Sequence, residues 1–584
     1  MILSNFSPLF SPFSKFILFL AVFGLGSLSG ADLILRNGKI VTVNGGFQVV
    51  EAMAIEEGRI TAVGTNVDAG KWKKPETEVM DLAGKMVLPG LLDSHVHPTS
   101  ASMFEASHEI PTMESIADVL AYVRERTQVV PKGEWIRLSQ VFITRLKEQR
   151  YPNRKELDSV APEHPVIFRT GPDASVNSLA LKLNGIDMAF AAKHPEQILV
   201  DPETGELNGQ IRKVSSIIKW KHNSTRKSLD QKARDRRLVD LFHDYNRRGI
   251  TGVIDRNCGS SARDQYQRLL DEGRLSLRVR VSRGVGAGGE LSAIEQRLDA
   301  IAADPYFKKP DPRFGIVGVK VFQDGGMLTG SAYFQKPWGK SKIYGIEDPA
   351  YRGMQYIKEE RLEELARACV KRDLAFTAHC QGDAATTTLA RVYARVNKDM
   401  PVAPSRSSIT HSSFMTPEAI QLAAKVGFGI DLQPAWLYND GYTLKAQFGD
   451  ARLKHFIPLK SLFNAGVIAG GGSDHMQKIG PLRSVNPYDP FLGMWITLTR
   501  KARWLEEPVH TEQALSREEM IRFYTIHNAW LMRMENEIGS LEPGKRADFI
   551  ILDRDLLTCC VDEVKETQVL STWLDGEKLE IPCQ

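Results

Sequence analysis

The sequence predicts an α/β fold: a (β/α)8 barrel flanked by a composite β-sandwich domain drawn from both termini. Three observations carry this reading. β-rich runs alternate with amphipathic helical runs through the middle of the chain. Short β segments punctuated by turns stand near both ends, and neither group can bury a sheet face alone. Finally, His95-Val96-His97 closes the apolar run that begins at Leu88-Pro89-Gly90. On a strand this spacing puts both imidazoles on one face, about 7 Å apart, where they can grip one metal ion.

Taken in order, residues 1–30 read as a signal peptide. Lys15 precedes an almost continuous apolar run from Phe16 to Leu25, and small residues follow at Gly26, Ser27, Ser29 and Gly30. Export to a periplasmic or extracellular location is expected. A retained membrane anchor is the alternative, weakened because spanning usually takes about 17 or more apolar residues. No later stretch reads as transmembrane.

Residues 31–88 form the first part of the β-domain. Ala31 to Ile40 reads as a strand and tight turn. Val49 to Ile55 and Ile60 to Gly64 follow as strands around the Glu57-Gly58 turn. Residues 539–584 supply the matching part through Gly544 to Asp553, Val569 to Leu574 and the Asp575-Gly576 turn. Residues 89–538 hold the barrel. Its strand-like runs include Pro165 to Arg169, Ile316 to Phe322, Ala375 to His379 and Val467 to Gly471; Lys358 to Lys371 and Pro417 to Val426 are amphipathic helices. Residues 98–245 are too long for one βα loop and predict an inserted α/β region.

Composition narrows the function classes. The 584 residues carry 75 basic and 71 acidic side chains, a formal charge of +4, so no global field favours nucleic acid. The basic stretch from Lys221 to Arg237 reads as a solvated helix face, because no aromatic stacking platform accompanies it. Six cysteines do not make a disulfide scaffold in a chain of this size. No Gly-x-Ser-x-Gly elbow supports a serine-hydrolase alternative.

Four positions can complete the grip begun by His95 and His97: Lys320, His379, His411 and Asp474. Each ends a strand-like run, the slot in which barrel side chains converge on a site. Before Asp474, Gly471-Gly472-Ser473 leaves room for a carboxylate to reach metal-bound water. Singly, each has an ordinary reading: a hydrogen-bonded structural histidine, an isolated lysine, or an aspartate capping a helix. Their shared slot argues for metal.

These residues give the chain a family resemblance. It resembles the amidohydrolase superfamily, in particular the amidohydrolase-3 group that includes N-substituted formamide deformylases. The resemblance rests on Leu88 to His97, Gly318 to Gly325, His379 to Asp383, Ser473-Asp474, Tyr524 to Ala529 and Gly539 to Asp548. It implies a metal-dependent hydrolase barrel in which His95, His97 and Asp474 bind the more buried ion and His379 and His411 bind a second. Lys320, carboxylated by carbon dioxide, would bridge them. A carbamate supplies anionic oxygens that an ammonium lacks. One or two divalent ions are implied; nitrogen and oxygen donors suit zinc.

By the same resemblance, Asp474 is the general base that takes a proton from water and passes it to the leaving nitrogen. Asp324, Gly325, Asn177 and Trp436 are substrate-contact candidates. An Asp-Gly turn is the competing reading for Asp324, and core packing the preferred one for Trp436. Cys380 should face away from the site and pack, since adjacent strand residues point oppositely. The surroundings depart from the family pattern at Gly171-Pro172-Asp173, Gly209 to Lys213, Gln381 to Ala385 and Thr410, which leaves the substrate open. The expected reaction is hydrolysis of a nonpeptide C–N bond in an N-substituted amide or formamide by metal-activated water. A cyclic amide, carbamate or ester is the near alternative, and a noncatalytic small-molecule binding protein the rival of another class. The expected partner is a small amide-like molecule, with no nucleic acid and no stable membrane span; homo-oligomerisation is left open.

Overall fold

The computed structural model describes residues 31–139, 141–170, 173–212 and 214–582, so the signal-peptide expectation for 1–30 lies outside the described residues. Eight parallel strands form the central sheet: β1 (Leu91–Val96), β2 (Ile250–Cys258), β3 (Arg278–Gly284), β4 (Phe314–Phe322), β5 (Ala375–Cys380), β6 (Ser408–His411), β7 (Gly429–Leu432) and β8 (Ala469–Gly471). They pair in chain order from β1 to β8. The strands are buried on both faces, which is why β4 reads as a near-continuous apolar run: only Phe322 of its nine residues is exposed.

The barrel is partly closed. β1 and β8 do not pair along their length; they meet beyond the end of β8, where Asp474 N–H donates to His95 O at 2.7 Å and His97 N–H to His475 O at 2.8 Å. Asn528 spans the same seam lower down, its amide donating to the carbonyls of Leu92 and Gly471. The seam therefore fixes His95 of β1 and the adjoining His97 against the loop carrying Asp474.

Both ends of the chain build the flanking sheets, as expected. A four-stranded sheet contains Arg59–Gly64, Ala52–Glu56, Leu33–Arg36 and Glu78–Asp81. In the six-stranded sheet, Phe549–Leu552 from the C-terminal part pairs antiparallel with Met86–Pro89 from the N-terminal part. The Val49 to Ile55 run is not one strand. It breaks at Glu51, whose N–H bonds Gly64 O while its carbonyl accepts from Gly38 N–H, so Val49–Val50 and Ala52–Glu56 join different sheets. Arg278 of β3 ties this domain to the barrel through Asp548 (2.6 and 2.7 Å) and Asp575 (2.6 Å).

A separate five-stranded sheet lies between β1 and β2 in sequence: Ile136–Ser139, Val166–Thr170, Asp173–Val176, Leu207–Ile211 and Ile198–Val200. The Pro165 to Arg169 run belongs here and not to the barrel. The basic stretch is only half helical: Lys221 to Asp230 is loop and the helix spans Gln231–Arg247. Asp230 caps that helix by accepting from Ala233 N–H, which sets its start. Among the described residues no helix is long and apolar enough to cross a membrane.

Candidate metal centre

His95 and His97 project from the C-terminal end of β1 toward Asp474. Their Nε2 atoms stand 3.4 and 3.2 Å from Asp474 Oδ1, and ligand atoms of the three residues lie within 4.8 Å of one another. Gly472 makes this approach geometrically feasible, because a Cβ there would stand 2.8 Å from His95 N. Asp93 holds both sides of the seam: its Oδ1 accepts from His95 N–H (2.9 Å) and Ser473 N–H (3.1 Å). Burial raises its pKa to about 7 against those hydrogen bonds.

Asp474 and His411 both have left-handed backbones, with φ of 54° and 72°. Such conformations are costly for non-glycine residues and persist where the surrounding structure over-determines them. Asp474 is held by its seam hydrogen bond and by Asn486, whose amide donates to Asp474 O (2.8 Å) and Oδ2 (3.3 Å). Asn486 Oδ1 in turn accepts from Trp436 Nε1 (3.2 Å) and from Arg145 (3.0 Å), a residue of the inserted region that pairs with Asp440. Two donors on Oδ1 fix which end of the amide faces Asp474.

The second histidine pair stands alongside. His411 stacks on His95 with ring centroids 4.6 Å apart, and His379 meets His411 edge-on at 4.5 Å. His411 Nδ1 contacts Gln433 Oε1 at 2.8 Å. His379 Nε2 stands 3.4 Å from Gly325 O. Lys320 is buried with Nζ 3.3 Å from His95 Nε2. All six predicted metal positions thus gather at one end of the barrel. The tight groupings of ligand atoms are His95 with His97 and Asp474, and His95 with His411 and Asp431; His379 joins neither.

Asp431, absent from the sequence reading, lies at the C-terminal end of β7. Its Oδ1 stands 3.2 Å from His95 Nδ1, on the opposite side of the ring from Asp474, and its Oδ2 pairs with the buried Arg256 at 3.2 Å. An imidazole that binds a metal through one nitrogen characteristically offers the other N–H to a carboxylate. Asp431 thus holds His95 at Nδ1 and leaves Nε2 on the Asp474 side of the ring. The strand-end rule that selected Lys320 and His379 would also have selected Asp431 within Gly429-Ile430-Asp431-Leu432. Nothing in the sequence around Asn486 signals its place.

Electrostatics keep three of the four histidines neutral. Burial, then the charge of Lys320, pushes His95 well below the usual imidazole range and His379 down to about 3. Burial and neighbouring imidazoles do the same to His411. Neutral imidazole is the form that binds metal. His97 differs: burial lowers it, but the carboxylates of Asp255 and Asp474 outweigh that and raise it to about 9. Burial also brings Lys320 down to about 8. The converging histidine nitrogens and aspartate oxygens around it fit a divalent-cation site.

The substrate candidates have definite places. Asn177 is buried and fully engaged: Oδ1 accepts from Val166 and Ala180 N–H groups, and Nδ2 donates to Ala161 and His164 carbonyls. It is a helix cap within the inserted sheet, with no hydrogen-bonding capacity left for a ligand. Asp324 accepts from Gln381, Gly382 and Tyr333 N–H groups, so it ties two other segments to its own and does more than close a turn. Gly325 has no room for a side chain, its Cβ position falling 2.5 Å from Ser331 O. Trp436 packs in the core yet stacks on His411 at 4.9 Å. Cys380 is buried.

A barrel whose strand ends bring histidines and an aspartate together in this way defines a metal-binding hydrolase of the TIM-barrel type. The chain belongs to the amidohydrolase family, whose sequence pattern matches residues 78–579. It is 27% identical over 569 residues to an N-substituted formamide deformylase of Arthrobacter pascens, covering 93% of this chain and 97% of that one. It is 24% identical over 573 residues to the Arabidopsis thaliana protein LONG AFTER FAR-RED 3, covering 94% and 91%. The crystal structure of an uncharacterized metal-dependent hydrolase from Pyrococcus horikoshii OT3 shares the fold, with a TM-score of 0.64, 22% identity and coverage of 91% and 99%.

Proposed function

We propose that this chain hydrolyses a nonpeptide C–N bond in an N-substituted amide or formamide, with His95, His97 and Asp474 holding one divalent ion. The observation that carries it is the placement of two Nε2 atoms, both within 3.4 Å of one Asp474 oxygen, at the catalytic end of the barrel. His379, His411 and a carboxylated Lys320 would hold a second ion, and zinc suits the donors. When bound, such an ion polarises a carbonyl and lowers the pKa of water toward about 7.

The residues of this chain then divide the remaining work. Asp474 takes the proton from the attacking water and delivers it to the departing nitrogen, which would otherwise leave as a poor amide anion. Asn486 keeps the carboxylate turned toward His95 and His97 while it does so. Asp431 holds the His95 ring so that Nε2 faces the ion. The relation to the formamide deformylase favours an N-formyl or N-acyl substrate.

The apolar and small residues of 1–30 support export to the periplasm or exterior. We divide the mature chain into β-domain parts 31–88 and 539–584 around a barrel at 89–538. A screen of metal-loaded protein against N-formyl, N-acyl, carbamate, cyclic-amide and ester substrates tests the reaction. Turnover of the N-formyl or N-acyl members, abolished in Asp474→Asn, is expected. Turnover confined to esters or cyclic amides would move the substrate class. No turnover of any substrate by loaded protein would favour a binding role.

A further inference from the structure

A cavity of about 560 Å³ opens between the segment after β1, the helix Ile116–Thr127, the strand Ile136–Ser139 and the loop beginning at Lys221. None of the metal-centre side chains lines it. Its charged lining is of one sign: Arg126, Arg137, Lys221, Arg226, Lys227 and Arg234, with no aspartate or glutamate. None of the six makes an ion pair among the described residues. The carboxylates nearby are committed elsewhere: Glu105 to Arg483 (2.9 Å) and Ile110 N–H (2.9 Å), and Glu134 to the N–H and hydroxyl of Ser224 (2.7 and 2.8 Å).

Arg137 is the most confined of these cations. Its guanidinium lies 4.0 Å over the Trp220 ring, and its buried Nε has no hydrogen-bond partner. Burial, followed by the charges of Arg169 and Arg226, pulls its pKa down to about 10, and burial with Arg226 and Arg137 lowers that of His222. Gathering like charges without a counter-charge is unfavourable unless an anion relieves it. Another part of the wall is apolar and aromatic, including Phe104, Met113 and Trp135. The volume falls within the range of small-molecule sites.

We propose that this cavity binds an amphipathic organic oxyanion, a carboxylate or phosphate head on an apolar body, separately from the metal centre. The head is held by Arg137 and Arg226, and the apolar body lies against the aromatic wall. Guanidinium groups suit such heads because their planar donors match two oxygens at once. The inference does not depend on the reaction assigned to the metal centre.

Calorimetric titration of zinc-supplemented protein with benzoate and with phenyl phosphate, at constant ionic strength against chloride, tests it. The two arms tell a carboxylate head from a phosphate head. Saturable binding of at least one is expected, weakened about tenfold in Arg137→Gln/Arg226→Gln with metal content unchanged. If that variant folds poorly, the exposed pair Lys221→Gln/Arg226→Gln should still weaken binding several-fold. No saturable binding of either probe, or binding that the folded variants leave unchanged, would overturn the proposal.

Discussion

His95 and Asp474 meet twice across the barrel seam: Asp474 N–H donates to His95 O at 2.7 Å, and Asp474 Oδ1 stands 3.4 Å from His95 Nε2. The backbone contact that joins the first and last strands also sets the distance between two proposed ligands. Closure of the fold and assembly of the site are one event. Changes that open the seam should therefore reduce metal affinity before they unfold the barrel.

Gly472→Ala tests that coupling. The added methyl would stand 2.8 Å from His95 N and 2.9 Å from Ser94 Oγ, with backbone on one side. Relief requires the seam to spread, at roughly 1–3 kcal/mol. Chelator competition should show metal affinity reduced about tenfold or more, as outer supports of metal sites commonly contribute. Unchanged affinity would separate the seam from the site.

Asp431→Asn weakens the orientation of His95 while keeping the side chain's shape. Metal affinity should fall about 10–100-fold. The buried Arg256 would also lose its anionic partner at 3.2 Å. A lower urea midpoint is expected alongside, since breaking a buried pair costs about 3–5 kcal/mol. Full affinity in a folded variant would show that Asp431 does not orient the ring.

Metal removal should lower thermal stability as well as activity. A ligand that binds only the folded chain adds about 2.7 kcal/mol at 100 times its dissociation constant. Melting of chelator-treated protein should therefore rise on zinc addition in a concentration-dependent way. A melting temperature indifferent to zinc would argue against a preformed site.

Acid should weaken the junction between barrel and β-domain. Burial would raise the Asp575 pKa, but Arg278, Arg546 and Arg313 outweigh it and hold it at about 2, below the ordinary 3.8. A depressed folded value means the stabilisation is present above pH 4 and is lost as pH falls toward 2. Asp575→Asn should lower stability at neutral pH by on the order of 2 kcal/mol. It should also flatten the stability profile between pH 4 and 2. Urea unfolding across that range measures both effects; an unchanged slope would contradict the assignment.

Much of this arrangement was legible in sequence because it follows strand geometry. His95 and His97 share a face by two-residue spacing, and Lys320, His379 and His411 occupy strand ends. What escaped depends on three-dimensional register. Asp431 matters because β7 sets it beside the far nitrogen of His95, and Asn486 because a loop returns it to Asp474. The corner at Glu51 was hidden because Val49 to Ile55 is uniformly β-forming, so only pairing reveals two sheets. The loop at Lys221 escaped because its charges resemble a helix face, while the cavity they line belongs to three distant segments.

The most direct test of the metal centre is the metal content of zinc-supplemented protein compared with His95→Asn/His97→Asn. One or two equivalents of divalent metal per wild-type chain are expected, with the loss of at least one in the folded variant. Wild-type protein without bound transition metal, or a variant that retains the full content, would contradict the metal centre.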